Sequence, residues 1–328
     1  MLNQNKNTRQ LKILNAEPLG YSIEAGTLLT ELGETVAKEM TRSQLMDQLG
    51  DFDVLIVRLA NQIDRKVINA GGRLRAIVTG TTGLDHIDVA YARERGITVL
   101  SLQDETEFLR EVQATAEHTW ALLLGLLRNI VPASIAARQG IWNRDMFRGR
   151  ELNGKRLGIV GLGRLGKMVA RYGQAFGMVV GAFDPLVQKW EGGVRRESTL
   201  NDLLKKSDIL SLHVPLNTET QGLIGATELA LLPPGAVLVN TSRGQLIDEF
   251  ALTQALTNKK LAGAALDVIA QERENDNRQK SPLLDYASTH DNLLITPHIG
   301  GATYESMAKT EVFMAHKLKR FLLKTDKD

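Results

Sequence analysis

The 328-residue sequence contains no cysteine, no long apolar run and no excess of charge of one sign. Without cysteine, disulfides, thiolate catalysis and cysteine-bound metals are excluded. The longest apolar run, WALLLGLL at 120–127, is too short to span a bilayer, and the first ten residues are polar, so we expect a cytoplasmic protein without a membrane partner. The 40 basic and 38 acidic residues leave a net charge of +2, which argues against a nucleic-acid partner. We also expect no metal, because the sequence has no H-x-x-x-H pair and no carboxylate cluster.

Apolar runs of strand length alternate with amphipathic stretches along most of the chain. The strand candidates are residues 11–16, 53–58, 74–80, 97–101, 156–161, 178–184, 209–215, 236–240, 261–268 and 292–297. Near-continuous apolar strands that alternate with helices are typical of parallel sheets covered on both faces. A chain of this length usually forms two domains, so the pattern predicts an α/β fold with two doubly wound parallel sheets. We interpret 115–130 as a helix that crosses between the domains, and 303–323 as an amphipathic helix that returns to the first domain.

A glycine loop, GLGRLG, joins the strand candidate at 156–161 to a helical pattern. Gly161 permits a tight turn, Gly163 lets a pyrophosphate approach the backbone, and Gly166 lets the helix pack closely on the strand. The free N–H groups at the start of the helix attract phosphate, and Arg164 adds a cation. Asp184 ends the next strand, where a carboxylate accepts bonds from ribose hydroxyls and repels a 2′-phosphate, which predicts NAD over NADP. The alternative is that the glycines serve only a turn, and the flanking strands argue against it.

Charged side chains follow three consecutive strand candidates, namely Arg243, Glu272 and His298. Each has a structural explanation when it is taken singly, because arginine pairs with surface carboxylates, Glu272 lies in a charge run, and His298 stands before a helix. Ligands of open α/β sheets bind beyond the carboxyl ends of the strands. Beside a dinucleotide loop, the three together therefore indicate a functional cleft. Gly244, directly after Arg243, is expected to let the backbone turn close to the cofactor.

Six segments together resemble one protein family. They are GTTGLDHID (80–88), GLGRLGK (161–167), LHVPLNTETQGLIG (212–225), VNTSRGQLID (239–248), AGAALDV (262–268) and TPHIGGAT (296–303). In these segments the sequence is similar to the D-isomer-specific 2-hydroxyacid dehydrogenases. The resemblance implies two Rossmann-like domains, with an NAD-binding domain (113–298) inserted into a flavodoxin-like substrate domain (1–112 and 299–328). It also implies a homodimer and a small 2-oxo or 2-hydroxy acid as the substrate.

The resemblance also implies roles for individual residues. Arg243 binds substrate, and Glu272 pairs with His298, which acts as the acid and base. The expected NAD site comprises Gly161, Gly163, Arg164, Leu165, Gly166, Asp184, Val214, Pro215, Thr241, Ser242, Asp267, His298, Gly300 and Gly301. The expected substrate site comprises Arg58, Thr82, Gly83 and Arg243, with the backbone N–H groups of 79–83 facing a carboxylate.

Departures from the family pattern leave alternatives open. The residue after Glu272 is usually proline in the family and is Arg273 here, and a polar loop follows as far as Ser281. The phosphoglycerate branch of the family has further cations for the phosphate; Arg58 stands at one of these positions, whereas Thr79 occupies another. The sequence predicts an NAD-dependent D-2-hydroxyacid dehydrogenase. The alternative enzyme is a D-3-phosphoglycerate dehydrogenase, and the alternative of another class is an NAD-sensing corepressor-like binding protein.

The acidic segment 103–112 carries a separate hypothesis. It follows the strand candidate at 97–101, whose carboxyl end is expected to face the substrate cleft. Phe108 and Leu109 would then be apolar substrate contacts, and Arg110 a second anion site, so that this segment sets specificity. The alternative is a solvated linker between the domains.

Overall fold

The computed structural model describes residues 10–188, 190, 192–273 and 278–325. The chain divides into two compact units. One is built from the described residues up to Leu109 together with those from Tyr304 onward, and the other from Arg110 to Thr303. The first unit is thus formed by two separate parts of the chain. The domain limits predicted from the sequence lie at 112/113 and 298/299, a few residues from these divisions.

The first unit contains a five-stranded parallel sheet. Its strands are β1 (Lys12–Asn15), β2 (Glu34–Ala37), β3 (Val54–Val57), β4 (Ala76–Thr79) and β5 (Thr98–Leu100), in the spatial order β2-β1-β3-β4-β5. Its helices are Ile23–Leu32, Arg42–Gln48, the 3₁₀ turn Leu49–Asp51, Arg65–Ala70, Val89–Glu94, Thr106–Leu109 and Tyr304–Thr325. Every residue of β3 and β4 is buried, which explains why both appear in the sequence as continuous apolar runs. β2 was not predicted, because this edge strand has no buried residue and therefore no apolar run in the sequence.

The second unit contains a seven-stranded parallel sheet. Its strands are β6 (Arg156–Val160), β7 (Val179–Phe183), β8 (Arg195–Arg196), β9 (Ile209–Leu212), β10 (Ala236–Asn240), β11 (Leu261–Leu266) and β12 (Leu293–Ile295). Its helices are Ala114–Leu127, Ile130–Arg138, Arg164–Ala175, Leu200–Lys205, Ala226–Leu231, Glu249–Thr257 and Pro282–Ala287, with 3₁₀ turns at Arg144–Phe147 and Gly244–Leu246. The prediction of two parallel α/β sheets is confirmed. β8 was missed because it consists of two exposed arginines.

The strand order of the second sheet is β12-β11-β10-β9-β6-β7-β8. The chain runs outward from β6 through β7 to β8, then returns to the other side of β6 at β9. The direction of winding therefore reverses between β6 and β9. In doubly wound sheets the crevice at the carboxyl ends beside such a reversal is the ligand site.

The predicted crossing helix at 115–130 is shorter than expected. It spans Ala114–Leu127, and a separate helix begins at Ile130. The break falls at Asn129, which has a left-handed backbone (φ 51°), a conformation that asparagine tolerates better than most residues. Within the described residues, no single helix is long and apolar enough to cross a membrane, although the bent pair Thr106–Leu127 and Ile130–Arg138 meets the requirements of length and composition together.

Candidate active site

The carboxyl edge of the seven-stranded sheet carries the predicted site residues of the second unit. After β6 come Gly161, Gly163, Arg164, Leu165 and Gly166; after β7, Asp184; after β9, Val214 and Pro215; after β10, Thr241, Ser242 and Arg243; after β11, Asp267 and Glu272; and after β12, His298, Gly300 and Gly301. Since all these strands run parallel, the segments leave the sheet at the same edge. The other predicted residues, Arg58, Thr82 and Gly83, follow β3 and β4 at the carboxyl edge of the first unit's sheet.

The three glycines of the loop after β6 have three different surroundings. Gly161 has φ +89°, and a Cβ there would lie 2.5 Å from the carbonyl oxygen of His213. A Cβ at Gly166 would overlap the carbonyl oxygen of Gly161, so the helix Arg164–Ala175 begins too close to the loop for any side chain. A Cβ at Gly163 would meet no atom within 4 Å. The loop therefore has open space in front of Gly163, beside the amino end of a helix, which fits a pyrophosphate.

Asp184 lies beside this loop, and Arg164 is part of it. The Asp184 carboxylate accepts hydrogen bonds from the backbone N–H of Leu162 at 2.8 Å and of Leu186 at 2.9 Å. A carboxylate has about four lone-pair sites, so it retains capacity for ribose hydroxyls. The Arg164 guanidinium donates to the carbonyl oxygen of Val112 at 2.6 Å, and its burial lowers the pKa of Arg164. The loop residues and the end of β7 are thereby held together.

Glu272 and His298 are joined by a direct bond. His298 Nδ1 lies 2.5 Å from Glu272 Oε1, and each side chain is about one-fifth exposed. His298 has a left-handed backbone (φ 55°), and so does Gln271 (φ 54°), which precedes Glu272. Such conformations are uncommon for residues other than glycine and persist where the surrounding structure imposes them, often at functional sites. With Nδ1–H donated to the carboxylate, Nε2 is the ring nitrogen left to exchange a proton.

Asp267 holds the segment that carries His298. Its carboxylate accepts from the N–H of Ile299 at 2.9 Å, the N–H of Gly300 at 2.7 Å and the hydroxyl of Thr296 at 2.7 Å. The N–H of His298 donates to the backbone oxygen of Asp267 at 2.8 Å. Gly300 is required here, since a Cβ would lie 2.8 Å from Asp267 Oδ2. Asp267, which the resemblance places in the NAD site, thus has its oxygens engaged within the chain.

His118 was missed by the sequence analysis. Its Nε2 lies 3.2 Å from Asp267 Oδ1 and 3.0 Å from Thr296 Oγ1. Burial by itself raises the pKa of Asp267, but hydrogen bonds from His118, Thr296 and two backbone N–H groups outweigh it and leave the pKa below its ordinary value. The next residue, Thr119, shares a 2.8 Å hydroxyl bond with Thr241. The available signal was the polar run at 117–119, directly before the apolar stretch of the crossing helix.

Glu249 holds both ends of the polar loop around Glu272. Its Oε1 accepts from the N–H of Ala270 at 2.6 Å, and its Oε2 accepts from the hydroxyl of Ser281 at 2.8 Å. The polar loop that follows Arg273 extends to Ser281, and its residues 274–277 lie outside the described part of the chain. The two bonds fix Ala270 and Ser281, on either side of that stretch.

Arg243 stands beyond the end of β10 and is partly buried. The Asn240 side chain donates to its backbone oxygen at 2.8 Å and accepts from the N–H of Ser242 at 2.9 Å, which shapes the turn. The guanidinium donates to the Ser242 carbonyl at 2.7 Å. A Cβ at Gly244 would overlap the backbone at 269–270. The glycine therefore permits close packing between the segments that follow β10 and β11.

The other predicted NAD-site residues are in mixed environments. Val214 packs against the glycine loop, since its Cγ1 would lie 2.7 Å from a Cβ on Gly161. The Ser242 hydroxyl donates to the carbonyl of Leu212 at 2.8 Å. Pro215 and Gly301 are exposed, and Leu165 packs at the margin of the core.

In the first unit, the loop after β4 is partly organised by threonines. The Thr81 hydroxyl donates to the carbonyl of Gly83 at 2.9 Å, and Thr82 is exposed. The guanidinium of Arg58 donates to the carbonyl of Leu19 at 2.6 Å, so it is held inside the unit.

Within the segment 103–112, residues 103–109 belong to the first unit and pack there. Phe108 stacks on Phe313 of the helix Tyr304–Thr325 at a ring-centroid distance of 4.0 Å, and Leu109 is buried. Glu105 pairs with Lys317 of the same helix at 2.5 Å. Phe108, proposed as a substrate contact, therefore docks the segment on that helix.

Comparison with known proteins places the chain in a family. Residues 120–300 match the family described as D-isomer specific 2-hydroxyacid dehydrogenase, NAD binding domain. The D-3-phosphoglycerate dehydrogenase of Methanocaldococcus jannaschii is 39% identical over 95% of this chain and 57% of its own length. The hydroxypyruvate reductase of Thermotoga maritima is 34% identical over 87% of this chain and 90% of its own length. The chain spans little more than half the length of the D-3-phosphoglycerate dehydrogenases that it matches.

Solved structures agree with this assignment. The D-lactate dehydrogenase from Aquifex aeolicus, complexed with NAD and lactic acid, matches with a TM-score of 0.83 and 29% identity, over 95% of this chain and 96% of that one. The chain belongs to the D-isomer specific 2-hydroxyacid dehydrogenase family, and its residues 120–300 form the family's NAD-binding domain.

Proposed function

We propose that this protein is an NAD-dependent oxidoreductase that transfers a hydride between NAD(H) and a small D-2-hydroxy acid or its 2-oxo acid. The observation that carries the proposal is the Glu272–His298 pair, which lies at the same sheet edge as a glycine loop with room for a pyrophosphate. An imidazole held by a carboxylate is suited to acid–base work near neutral pH. The family relatives named dehydrogenase and reductase support the same reaction class.

The loop after β6 is proposed to bind the pyrophosphate of NAD through the open space at Gly163 and the amino end of the helix Arg164–Ala175. Asp184 accepts the hydroxyls of the adenosine ribose, and its negative charge disfavours a 2′-phosphate. Bound NADH supplies the hydride. Replacing Asp184 with serine is expected to narrow the preference for NAD over NADP, because the repulsion is removed.

Residues of the chain itself transfer the proton and bind the substrate carboxylate. The Arg243 guanidinium binds the substrate carboxylate with its planar fork and polarises the neighbouring ketone. His298 gives a proton from Nε2 to the ketone oxygen during reduction and takes it back during oxidation. Glu272 keeps the ring oriented through Nδ1 and stabilises its charged form. In the first unit, the backbone N–H groups of Thr82 and Gly83 are the proposed donors to a substrate carboxylate.

The test is a panel of 2-oxo acids, including pyruvate, glyoxylate and hydroxypyruvate, assayed with NADH and with NADPH by the loss of absorbance. At least one acid is expected to be reduced with NADH. His298→Asn is expected to lower kcat by at least about 100-fold while NADH affinity persists, because the proton relay is lost. His316→Asn, which changes an exposed histidine on the helix Tyr304–Thr325, serves as the control. Retained turnover in His298→Asn would assign the acid–base role to another group.

A second copy of the chain is proposed as a partner. Several large apolar side chains are exposed on and after the helix Ile130–Arg138, namely Ile130, Val131, Ile135, Ile141, Trp142 and Met146. Trp142 is 90% exposed. Clustered exposed apolar side chains mark interaction surfaces, and aromatic residues often anchor them. A homodimer through this surface would cover them.

Light scattering during size-exclusion chromatography tests the dimer. Trp142→Arg is expected to shift the protein toward the monomer mass, because a charge is placed in the apolar surface. Ile23→Asp provides a control, since Ile23 is 89% exposed but lies in the first unit. A monomeric wild type, or a Trp142→Arg variant that stays dimeric, would contradict this interface.

A further inference from the structure

Glu311 is a buried carboxylate in the first unit. It lies on the helix Tyr304–Thr325 and is 5% exposed. Its Oε2 accepts from the N–H of Ser22 at 2.7 Å, whereas its Oε1 is buried and has no hydrogen-bond partner in the described part of the chain. Oε1 lies 3.7 Å from a guanidinium nitrogen of Arg58. A buried carboxylate is costly unless it is paired, so Arg58 is its counterion.

Arg58 stands beside the proposed substrate loop. It directly follows β3, which pairs with β4 so that Val57 is opposite Thr79. Arg58 is therefore next to Gly80, where the loop begins that carries Thr82 and Gly83. The same helix that carries Glu311 also reaches this edge, since Thr310 Oγ1 would lie 3.6 Å from a Cβ on Gly80.

The backbone and the guanidinium of Arg58 are both held by hydrogen bonds. Its backbone N–H donates to Glu17 at 2.9 Å, and its guanidinium donates to the carbonyl of Leu19 at 2.6 Å. Glu17 also accepts from the N–H of Asn61 at 3.0 Å, so the turn after β3 is anchored to the turn after β1. The guanidinium cannot swing toward a ligand without breaking these bonds, and it faces Glu311 where it stands.

Tyr21, another ionisable group at this position, contributes no charge. Burial raises the pKa of Tyr21, and the nearby Glu311 raises it further, so the phenol stays neutral. Burial also raises the pKa of Glu311, whereas the Ser22 N–H and Arg58 lower it, with a net increase. Glu17 is also buried here, but its carboxylate accepts from the backbone N–H groups of Arg58, Ala60 and Asn61. Glu311 is the carboxylate that faces the Arg58 guanidinium.

An arginine at a strand end beside an anion-binding loop is otherwise well suited to a phosphate, which it binds with a bidentate fork. A carboxylate within 4 Å removes most of that attraction, because the approaching anion meets a pair with no net charge. We infer that Glu311 cancels the charge of Arg58 and thereby makes this sheet edge select D-2-hydroxy acids that carry no phosphate. This inference rests on the proposed function, and it separates this chain from the D-3-phosphoglycerate dehydrogenases among its relatives.

D-Glycerate and D-3-phosphoglycerate test the inference, because they differ only in the phosphate. The ratio of their kcat/KM values for oxidation with NAD is measured for the wild type, Glu311→Gln, and the double variant Arg58→Gln/Glu311→Gln. The wild type is expected to prefer D-glycerate. Glu311→Gln is expected to raise the ratio in favour of D-3-phosphoglycerate by about tenfold, since the guanidinium charge is then uncompensated. The double variant is expected to lose this gain, which a purely structural role of Glu311 would not produce.

Glu305→Gln, an exposed carboxylate in the first turn of the same helix, is the matched control and is expected to leave the ratio unchanged. A wild-type preference for D-3-phosphoglycerate would overturn the inference, and so would a ratio that does not respond to Glu311→Gln. If that variant does not fold by circular dichroism, the wild-type preference decides the matter alone. The failure of the proposed function is distinct, because then neither acid is oxidised and no 2-oxo acid is reduced.

Discussion

Asp267 and Glu311 are both buried carboxylates near the carboxyl edge of a parallel sheet, but they are bonded differently. Asp267 is 1% exposed, and both of its oxygens accept hydrogen bonds from the segment after β12. Glu311 has one bonded oxygen and one oxygen that faces Arg58 at 3.7 Å without a hydrogen bond.

The pKa shifts of the two carboxyls are opposite, although burial raises both. Hydrogen bonds leave the pKa of Asp267 lowered, whereas burial prevails at Glu311 and leaves its pKa raised. Burial thus does not determine whether a carboxylate stabilises the fold; the number of donors aimed at the charged form does. Asp267 is suited to holding a loop, and Glu311 is suited to tuning the charge of a neighbour.

The largest effect is expected from Asp267→Asn. The amide would present a donor to the N–H of Ile299 or Gly300, which then loses its acceptor in a buried place. The free energy of unfolding is expected to fall by about 3 kcal/mol, and kcat is expected to fall with it, because the His298 segment shifts. Urea unfolding and steady-state kinetics measure the two effects, and Asp285→Asn, at an exposed position, is the control. An unchanged unfolding curve would show that Asp267 does not hold the His298 segment in place.

Glu249→Ala tests whether the same rule holds for a second carboxylate with both oxygens bonded. Without the carboxylate, the N–H of Ala270 and the hydroxyl of Ser281 both lose their acceptor, at a cost of about 2 kcal/mol in that loop. We expect faster hydrogen exchange at Ala270 and a severalfold lower kcat with NAD affinity unchanged. Glu117→Ala is the control on an exposed helix face. Unaltered exchange at Ala270 would show that other contacts hold the loop.

The smallest effects are expected in the pH dependence of stability, and they have opposite signs. The lowered pKa of Asp267 adds stability above the unfolded value near 3.8, and this is lost as the pH falls through the folded pKa. The raised pKa of Glu311 favours the folded state at low pH, and this is lost as the pH rises from 4.5 through the folded pKa. Unfolding free energies of the wild type and of each amide variant, measured from pH 3 upward, should differ in these two directions. If the difference between wild type and variant changed with pH in the same direction for both carboxyls, the two pKa shifts would not be opposite.

Both sheets were largely predictable, because their strands are short apolar runs and their order along the chain follows from alternation with helices. β10, predicted at 236–240, spans Ala236–Asn240. The exceptions were β2 and β8, which lack buried residues and therefore lack the pattern. The break at Asn129 was also missed, because a single left-handed residue leaves the apolar pattern around it intact.

For the candidate site, the sequence predicted only which residues follow the strands, and not which contacts those residues make. Parallel strands bring their carboxyl ends to one edge, so Arg243, Glu272 and His298 were expected to lie near the glycine loop. Their roles remain predictions. His118 was missed, because its partners Asp267 and Thr296 are 149 and 178 positions away in the sequence.

The sequence by itself determined where strands and helices form and where the backbone needs glycine, because those preferences act over a few neighbouring residues. Gly161 has a φ of +89°, and a Cβ at Gly166 would overlap the carbonyl oxygen of Gly161 only five positions earlier. Only the tertiary structure decided which charges are paired, because pairing depends on contacts across the chain. Ser22 and Glu311 are 289 positions apart, yet one bonds the other beside Arg58. The balance of burial against hydrogen bonds, which sets the charge at such a place, exists only after the chain has folded.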